Sequence, residues 1–192
     1  MLSNDLHPDL TEPGKGQIII LNGTSSSGKS SIAIELQAIL DHPYHHFAID
    51  RFRSMGAGKT MSDDEFAVYF QRTILGFHRA VAGFASVGNN VIVDYVLGER
   101  WRFADCKQVF AGYDLVLVGV HCPLEELERR ERERGNRGTG RAASQFPTVH
   151  ADMSYDVEVD TGTASPRECA ETIKNHLVDH EVRRATRRRT CN

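Results

Sequence analysis

The sequence predicts an α/β fold in three layers: a parallel five-stranded sheet with helices on both faces. Three observations carry that prediction. Short unbroken apolar runs recur along the chain, as strands buried on both faces require. Segments with helical spacing separate them, so strands alternate with helices. The first run passes through a glycine- and serine-rich loop directly into an amphipathic helix.

Taken in order, Gln17 leads into Ile18, Ile19, Ile20 and Leu21, the first strand. Ser31 to Leu40 then sets Ile32, Leu36, Ile39 and Leu40 on one helical face. Phe47 to Ile49 reads as a second strand with Asp50 at its C-terminal end, after a stretch holding His42, His45 and His46. Gly56 to Lys59 is a turn, and Ser62-Asp63-Asp64-Glu65 has the spacing of a capping box. Phe66, Phe70, Ile74, Phe77 and Val81 continue a long helix toward Gly88, with the phenylalanines, Phe84 included, expected in the core. Val91-Ile92-Val93-Asp94 is the third strand, residues 100–110 a helix, and Leu115 to Val120 the most apolar strand. Leu124 to Arg134 is a charged helix, Gly135 to Gly140 a glycine-rich break, and Val157 to Val159 the last strand. Ser165-Pro166-Arg167-Glu168 combines an N-cap serine, a proline at the first helical position and a third-position glutamate, opening a helix to about His180.

The chain's 192 residues suit one domain, and 40% hydrophobic with 26% charged residues is ordinary globular composition. Residues 1–16, rich in acids and prolines, are expected as a flexible leader and not a signal peptide. Residues 17–182 form the expected folded domain, with a distinct charged and glycine-broken segment at about 128–145. Residues 183–192 form a basic tail of five arginines, expected as a solvated, frayed end. Without that tail the net charge of -3 becomes about -8, which argues against nucleic acid as a partner. The four cysteines lack metal-ligand spacing and are expected as reduced thiols. No run approaches the roughly 20 apolar residues that span a bilayer. A soluble, cytoplasmic protein with no membrane partner is the expectation, and a homo-oligomer is left open.

Gly23-Thr24-Ser25-Ser26-Ser27-Gly28-Lys29-Ser30 satisfies G-x-x-x-x-G-K-[ST] between a buried strand and an amphipathic helix. Backbone N–H groups of such a loop converge on phosphate, aided by the helix N-terminus. These positions, with Ser31, are the candidate ATP-binding residues of a P-loop NTPase fold. Lys29 is expected to reach the β- and γ-phosphates, and Ser30 to bind Mg2+. In open α/β sheets ligands gather at the carboxyl ends of the strands. Asp94, at the end of a Walker-B-like strand, is therefore assigned to the metal. Asp50 is assigned as the base that orients an acceptor hydroxyl and takes its proton. Arg129, Arg130, Arg132, Arg134, Arg137 and Arg141 follow the fourth strand, where a lid would close over the triphosphate. The histidines around 42–46 lack a companion acid or cysteine cluster and read as part of a polar loop. Tyr69 or Phe70 is a candidate for the wall of an acceptor pocket.

From about 17 to 180 the chain resembles the chloramphenicol phosphotransferase-like proteins. The carriers are Ile19-Ile20-Leu21-Asn22-Gly23 with the serine loop, Phe47-Ala48-Ile49-Asp50, Val118-Gly119-Val120-His121-Cys122 and Arg134-Gly135-Asn136-Arg137, with His150 and Tyr155 to Thr161. The resemblance implies a fold similar to nucleotide and shikimate kinases and transfer of the ATP γ-phosphate to an antibiotic hydroxyl. It implies that Asp50 is the catalytic base, that Lys29 and Ser30 keep their loop roles, and that Arg130, Arg134 and Arg137 are lid arginines. The segment after Asp50 is shorter than in the chloramphenicol-modifying member, and Asp94-Tyr95 stands where that enzyme has paired acids. Donor chemistry carries over better than acceptor identity. A chloramphenicol-type antibiotic, a nucleoside, a sugar, another metabolite or an RNA end remain alternatives, beside a nucleotide-dependent switch without a small acceptor.

Overall fold

The computed structural model of the chain describes residues 14–56, 58–134 and 140–190, with side chains as far as 180. The elements run β1 (Gln17–Asn22), α1 (Lys29–Ile39), β2 (Tyr44–Ala48), α2 (Ile49–Ser54), α3 (Asp63–Ser86) and β3 (Asn90–Tyr95). They continue with α4 (Arg100–Val109), β4 (Asp114–His121), α5 (Leu124–Arg134), α6 (Arg141–Gln145), β5 (Val157–Asp160) and α7 (Pro166–Thr190). The five strands are parallel in the order β2-β3-β1-β4-β5.

The central place of β1 explains its composition. Strand side chains alternate between faces, and both faces here are covered. Ile19 and Leu21 pack under α1 and α7 with Ile32, Leu36, Ile173 and Leu177. Ile18 and Ile20 point the other way, onto Ile74, Phe77 and Val81 of α3 and Cys106 of α4. Burial of each such side chain contributes roughly 1.5–3 kcal/mol relative to exposure. The two cores sandwich the sheet as expected, and Cys106, Cys122 and Cys169 are buried free thiols.

Both predicted capping boxes form. Ser62 N–H donates to Glu65 Oε2 at 2.9 Å, and Glu65 N–H donates to Ser62 Oγ at 3.3 Å, fixing the start of α3. At the start of α7, Ser165 and Glu168 exchange equivalent bonds of 2.8 and 3.3 Å.

Four expectations change. First, β2 ends at Ala48 and Asp50 lies in the first turn of α2. Ile49 and Phe52 of α2 pack against the α3-side core, which bends the chain into a helix at once. An acid in that turn also suits the positive end of the helix dipole. Second, His45 and His46 belong to β2, the edge strand, and not to a loop. Third, α6 follows the glycine-rich break and is too short for periodicity to reveal. Fourth, α7 runs to Thr190, because no glycine or proline interrupts its Arg-rich end. Among the phenylalanines of α3, Phe77 is buried whereas Phe66 and Phe84 are exposed.

Candidate active site

The loop from Gly23 to Ser30 emerges from the carboxyl end of β1, between β3 and β4. Its shape depends on two glycines. A Cβ on Gly23 would stand 2.4 Å from the Val120 carbonyl oxygen and 2.7 Å from Ser27 Oγ. Gly28 takes φ +87° as it enters α1, a left-handed conformation that side chains resist. Gly23, Thr24 and Ser27 are buried, whereas Ser25, Ser26, Gly28, Lys29, Ser30 and Ser31 line a cleft of about 420 Å³.

Lys29 is 6% exposed, and its Nζ donates to the Thr24 carbonyl at 2.6 Å and to Ser27 Oγ at 3.4 Å. Its ammonium lies 3.9 Å from Asp94 Oδ1. Ser30 Oγ–H donates to Asp94 Oδ2 at 2.5 Å. Parallel pairing sets Asp94 beside Leu21 on one side and Ala48 on the other, at the level where the loop begins. The two residues assigned to the metal, Ser30 and Asp94, thus stand side by side at the mouth of the loop. His46 Nε2 lies 3.9 Å from Asp94 Oδ2, buried and without a hydrogen-bond partner among the described residues. Burial outweighs the nearby carboxylate and pulls the His46 pKa below its ordinary value, which keeps the ring neutral.

Asp50 lines the same cleft from α2, with its carboxylate half exposed and 3.7 Å from the Arg53 guanidinium. Phe70 of α3 is part of the wall, as one of the two aromatic candidates, and Arg51, Arg53 and Arg102 stand on the same flank. Arg134 and Arg141 reach the cleft from α5 and α6. Arg130 does not line it. Its Nη groups donate to the Thr161 carbonyl at 2.8 Å and Thr161 Oγ1 at 3.1 Å, beside a second hollow that includes Ser26, Gly28 and Ser31. Arg137 lies outside the described residues.

Three contributors were given no role by the sequence. Gln145, at the end of α6, accepts the Ser25 backbone N–H through Oε1 at 2.8 Å, bringing α6 against the loop. Glu131, 5% exposed on α5, accepts from Gly140 N–H at 2.7 Å and Ala142 N–H at 3.3 Å, which pins the start of α6. Asn22 is fully buried at the end of β1. Its Nδ2 donates to the Val149 carbonyl at 2.8 Å and Tyr155 Oη at 2.7 Å, and its Oδ1 accepts Leu97 N–H at 2.8 Å. Tyr155 Oη lies 2.6 Å from His150 Nδ1. Burial lowers the His150 pKa to about 4, so the ring is neutral and accepts the Tyr155 proton. The motif residues Asn22, His150 and Tyr155 thus form a buried support behind the loop.

The oxygens of Ser30 and Asp94 are hard donors of the kind Mg2+ prefers when waters and phosphate complete its shell. Among the described residues there is no cluster of three or more His, Cys, Asp or Glu able to hold a metal ion. No described helix is long and apolar enough to cross a membrane.

Residues 16–178 match the family of chloramphenicol phosphotransferase-like proteins. A Mycobacterium tuberculosis protein bearing the name "Putative O-phosphotransferase Rv2636" is 32% identical over 175 residues, covering 79% of this chain and 77% of that one. In fold the chain is similar to the Mycobacterium tuberculosis APS kinase CysC, solved with AMPPNP and APS. That likeness has a TM-score of 0.67 at 22% identity, over 86% of this chain and 99% of that one. It is also similar to a gluconokinase from Sinorhizobium meliloti, with a TM-score of 0.63 at 18% identity, over 91% and 98%. Under the P-loop kinase fold that these likenesses show, the chain belongs to the chloramphenicol phosphotransferase-like family and is a kinase-like O-phosphotransferase.

Proposed function

We propose that this O-phosphotransferase takes ATP with Mg2+ as donor and passes the γ-phosphate to a hydroxyl of a small molecule. One observation carries the reading: the phosphate loop and the Asp50 carboxylate line one cleft. A switch that only hydrolyses nucleotide needs a residue to position water, but no base beside an acceptor cavity.

Loop N–H groups and Lys29 hold the β- and γ-phosphates, while Ser30 and Asp94 would hold the metal. Mg2+ held there would supply positive charge that offsets the charge spreading in transfer. Arg134, with Arg137 and Arg130 nearby in sequence, draws the lid segment over the triphosphate. Asp50 accepts the proton of the acceptor hydroxyl as that oxygen attacks phosphorus, while the bond to the ADP leaving oxygen breaks. Arg53 beside it fixes the direction of the carboxylate. Chloramphenicol-type antibiotics belong in the acceptor panel through the family.

The test incubates the protein with ATP, Mg2+ and a panel of hydroxylated antibiotics, sugars, sugar acids and nucleosides, and weighs products for an added phosphoryl group. One acceptor should be phosphorylated, and Asp50→Asn should lower turnover by about two to four powers of ten while nucleotide still binds. ADP release that no acceptor changes, or full turnover in Asp50→Asn, counts against the reading.

A further inference from the structure

The flank of the cleft away from α5 is arginine-rich in a way that the donor does not explain. Arg102, on the first turn of α4, has a side chain only 13% exposed. Its guanidinium lies 5.2 Å from the Phe70 ring centroid, and that of Arg53 lies 5.1 Å from the same centroid. One aromatic ring therefore holds two guanidinium groups within the wall of a single cleft.

Their present partners leave charge over. Arg53 faces Asp50 at 3.7 Å, and Arg102 is bound to Glu99, half exposed, with a 3.4 Å contact to the Val96 carbonyl. The Arg102 Nε is buried and has no hydrogen-bond partner among the described residues. Arg51, Arg53 and Arg102 thus exceed Asp50 and Glu99 by one positive charge on this flank. On the other flank Lys29, Arg134 and Arg141 exceed Asp94 by two, which a magnesium-bound ATP of net charge about -2 offsets. The positive charge beside Phe70 remains. A buried N–H without an acceptor is costly, and Glu99 can return to water when a better anion arrives. The fork of Arg102 then offers Nε and Nη to two oxygens of one planar or tetrahedral anion.

We propose that the acceptor of this transferase is itself an anion, a hydroxylated small molecule bearing a carboxylate, sulfate or phosphate held by Arg102 and Arg53 against Phe70. The assignment rests on the phosphotransferase reading above and names its substrate class. A neutral hydroxylated molecule of the same size leaves the Arg102 fork unmatched and is the poorer substrate.

Trp101, the chain's one tryptophan, lies 5.6 Å from the Arg102 guanidinium and reports on it directly. The full-length protein is saturated with AMPPNP and Mg2+, so that the loop is filled, and Trp101 emission is followed during titration. Probes are gluconate and glycerate for the carboxylate arm, sulfate and inorganic phosphate for the tetrahedral arm, and glucose and glycerol as neutral matches. A saturable change is expected with at least one anionic arm and with neither neutral probe. Arg102→Gln should weaken that response about 10- to 100-fold, and Arg53→Gln, on a different helix, should weaken it independently. Arg102→Lys, which keeps charge without the fork, should fall between, and far-UV circular dichroism shows that each variant is folded. No saturable anion response in the wild type, or an equal response in folded Arg102→Gln, overturns the assignment. Phosphorylation of a neutral acceptor with equal kcat/KM in wild type and Arg102→Gln overturns it too, while leaving the phosphotransferase reading intact. A saturable anion site in a protein that phosphorylates nothing supports the site and counts against transfer.

Discussion

Replacing Asn22 by alanine should loosen the base of the phosphate loop from behind, without touching the cleft. The side chain serves three groups, and two lose their only hydrogen-bond partner among the described residues: Leu97 N–H, 3% exposed, and the Val149 carbonyl, on a fully buried residue. Each orphaned buried group costs about 1–3 kcal/mol, whereas Tyr155 Oη keeps His150 and loses little. The sum is roughly 2–6 kcal/mol, or about 4–24 °C in melting temperature for a chain of this size. Urea and thermal unfolding followed by circular dichroism read it, with Tyr155→Phe as a comparison expected to cost about 1 kcal/mol. Because Gly23 follows Asn22 directly, weaker ATP binding should accompany the loss. An Asn22→Ala protein within 1 kcal/mol of wild type would refute the idea that this amide holds the loop.

Lys29→Ala should damage nucleotide binding and phosphoryl transfer together, unlike Asp50→Asn, and isothermal titration with AMPPNP beside turnover separates the two patterns. Glu131→Ala frees Gly140 and Ala142 N–H groups and should cost about 1–3 kcal/mol, read as faster limited proteolysis between α5 and α6 and a higher KM for ATP. Acid should destabilise the fold before any carboxylate titrates. His150, His46 and His78 all have pKa values lowered chiefly by burial, so the unfolded chain takes up protons first. Their contribution is complete above pH ~6.5 and is lost as pH falls from there toward about 4 for His150, which is part exposed. After discounting for solvent, that residue contributes on the order of 1–2 kcal/mol. His150→Gln should flatten this limb of the urea midpoint against pH, and an unchanged slope would exclude His150 as its source.

The sheet was legible because strands buried on both faces must be apolar throughout, and β1, β3 and β4 are. The loop was legible because its glycines, lysine and serine stand at fixed spacing between such a strand and a helix. Asp94 followed from strand-end logic. Asp50 lines the loop's cleft from α2 and not from a strand end, since Ile49 is as apolar as a strand residue and only its packing against the α3-side core reveals α2. Arg102, Gln145 and Glu131 were illegible. Each acts across the fold, through contacts of 5.2 Å to Phe70, 2.8 Å to Ser25 and 2.7 Å to Gly140, and no periodic pattern encodes such distances. Arg130 stood in the expected run, yet it bonds Thr161 of the turn after β5, a partner that its neighbours in sequence do not announce.

The strand order has a consequence for how such a protein can diversify. With β1 in the middle, β2, α2 and α3 lie to one side of the loop, while β4, β5 and α5 lie to the other. Mutations on the first side can reshape the wall around Phe70 and Arg53 with little effect on the contacts of Arg130 and Thr161. The two sides meet at the stretch from Asn22 to Ser30, as well as in both cores. On the proposed function, a lineage can therefore try new acceptors on the β2 side while the phosphate loop stays intact.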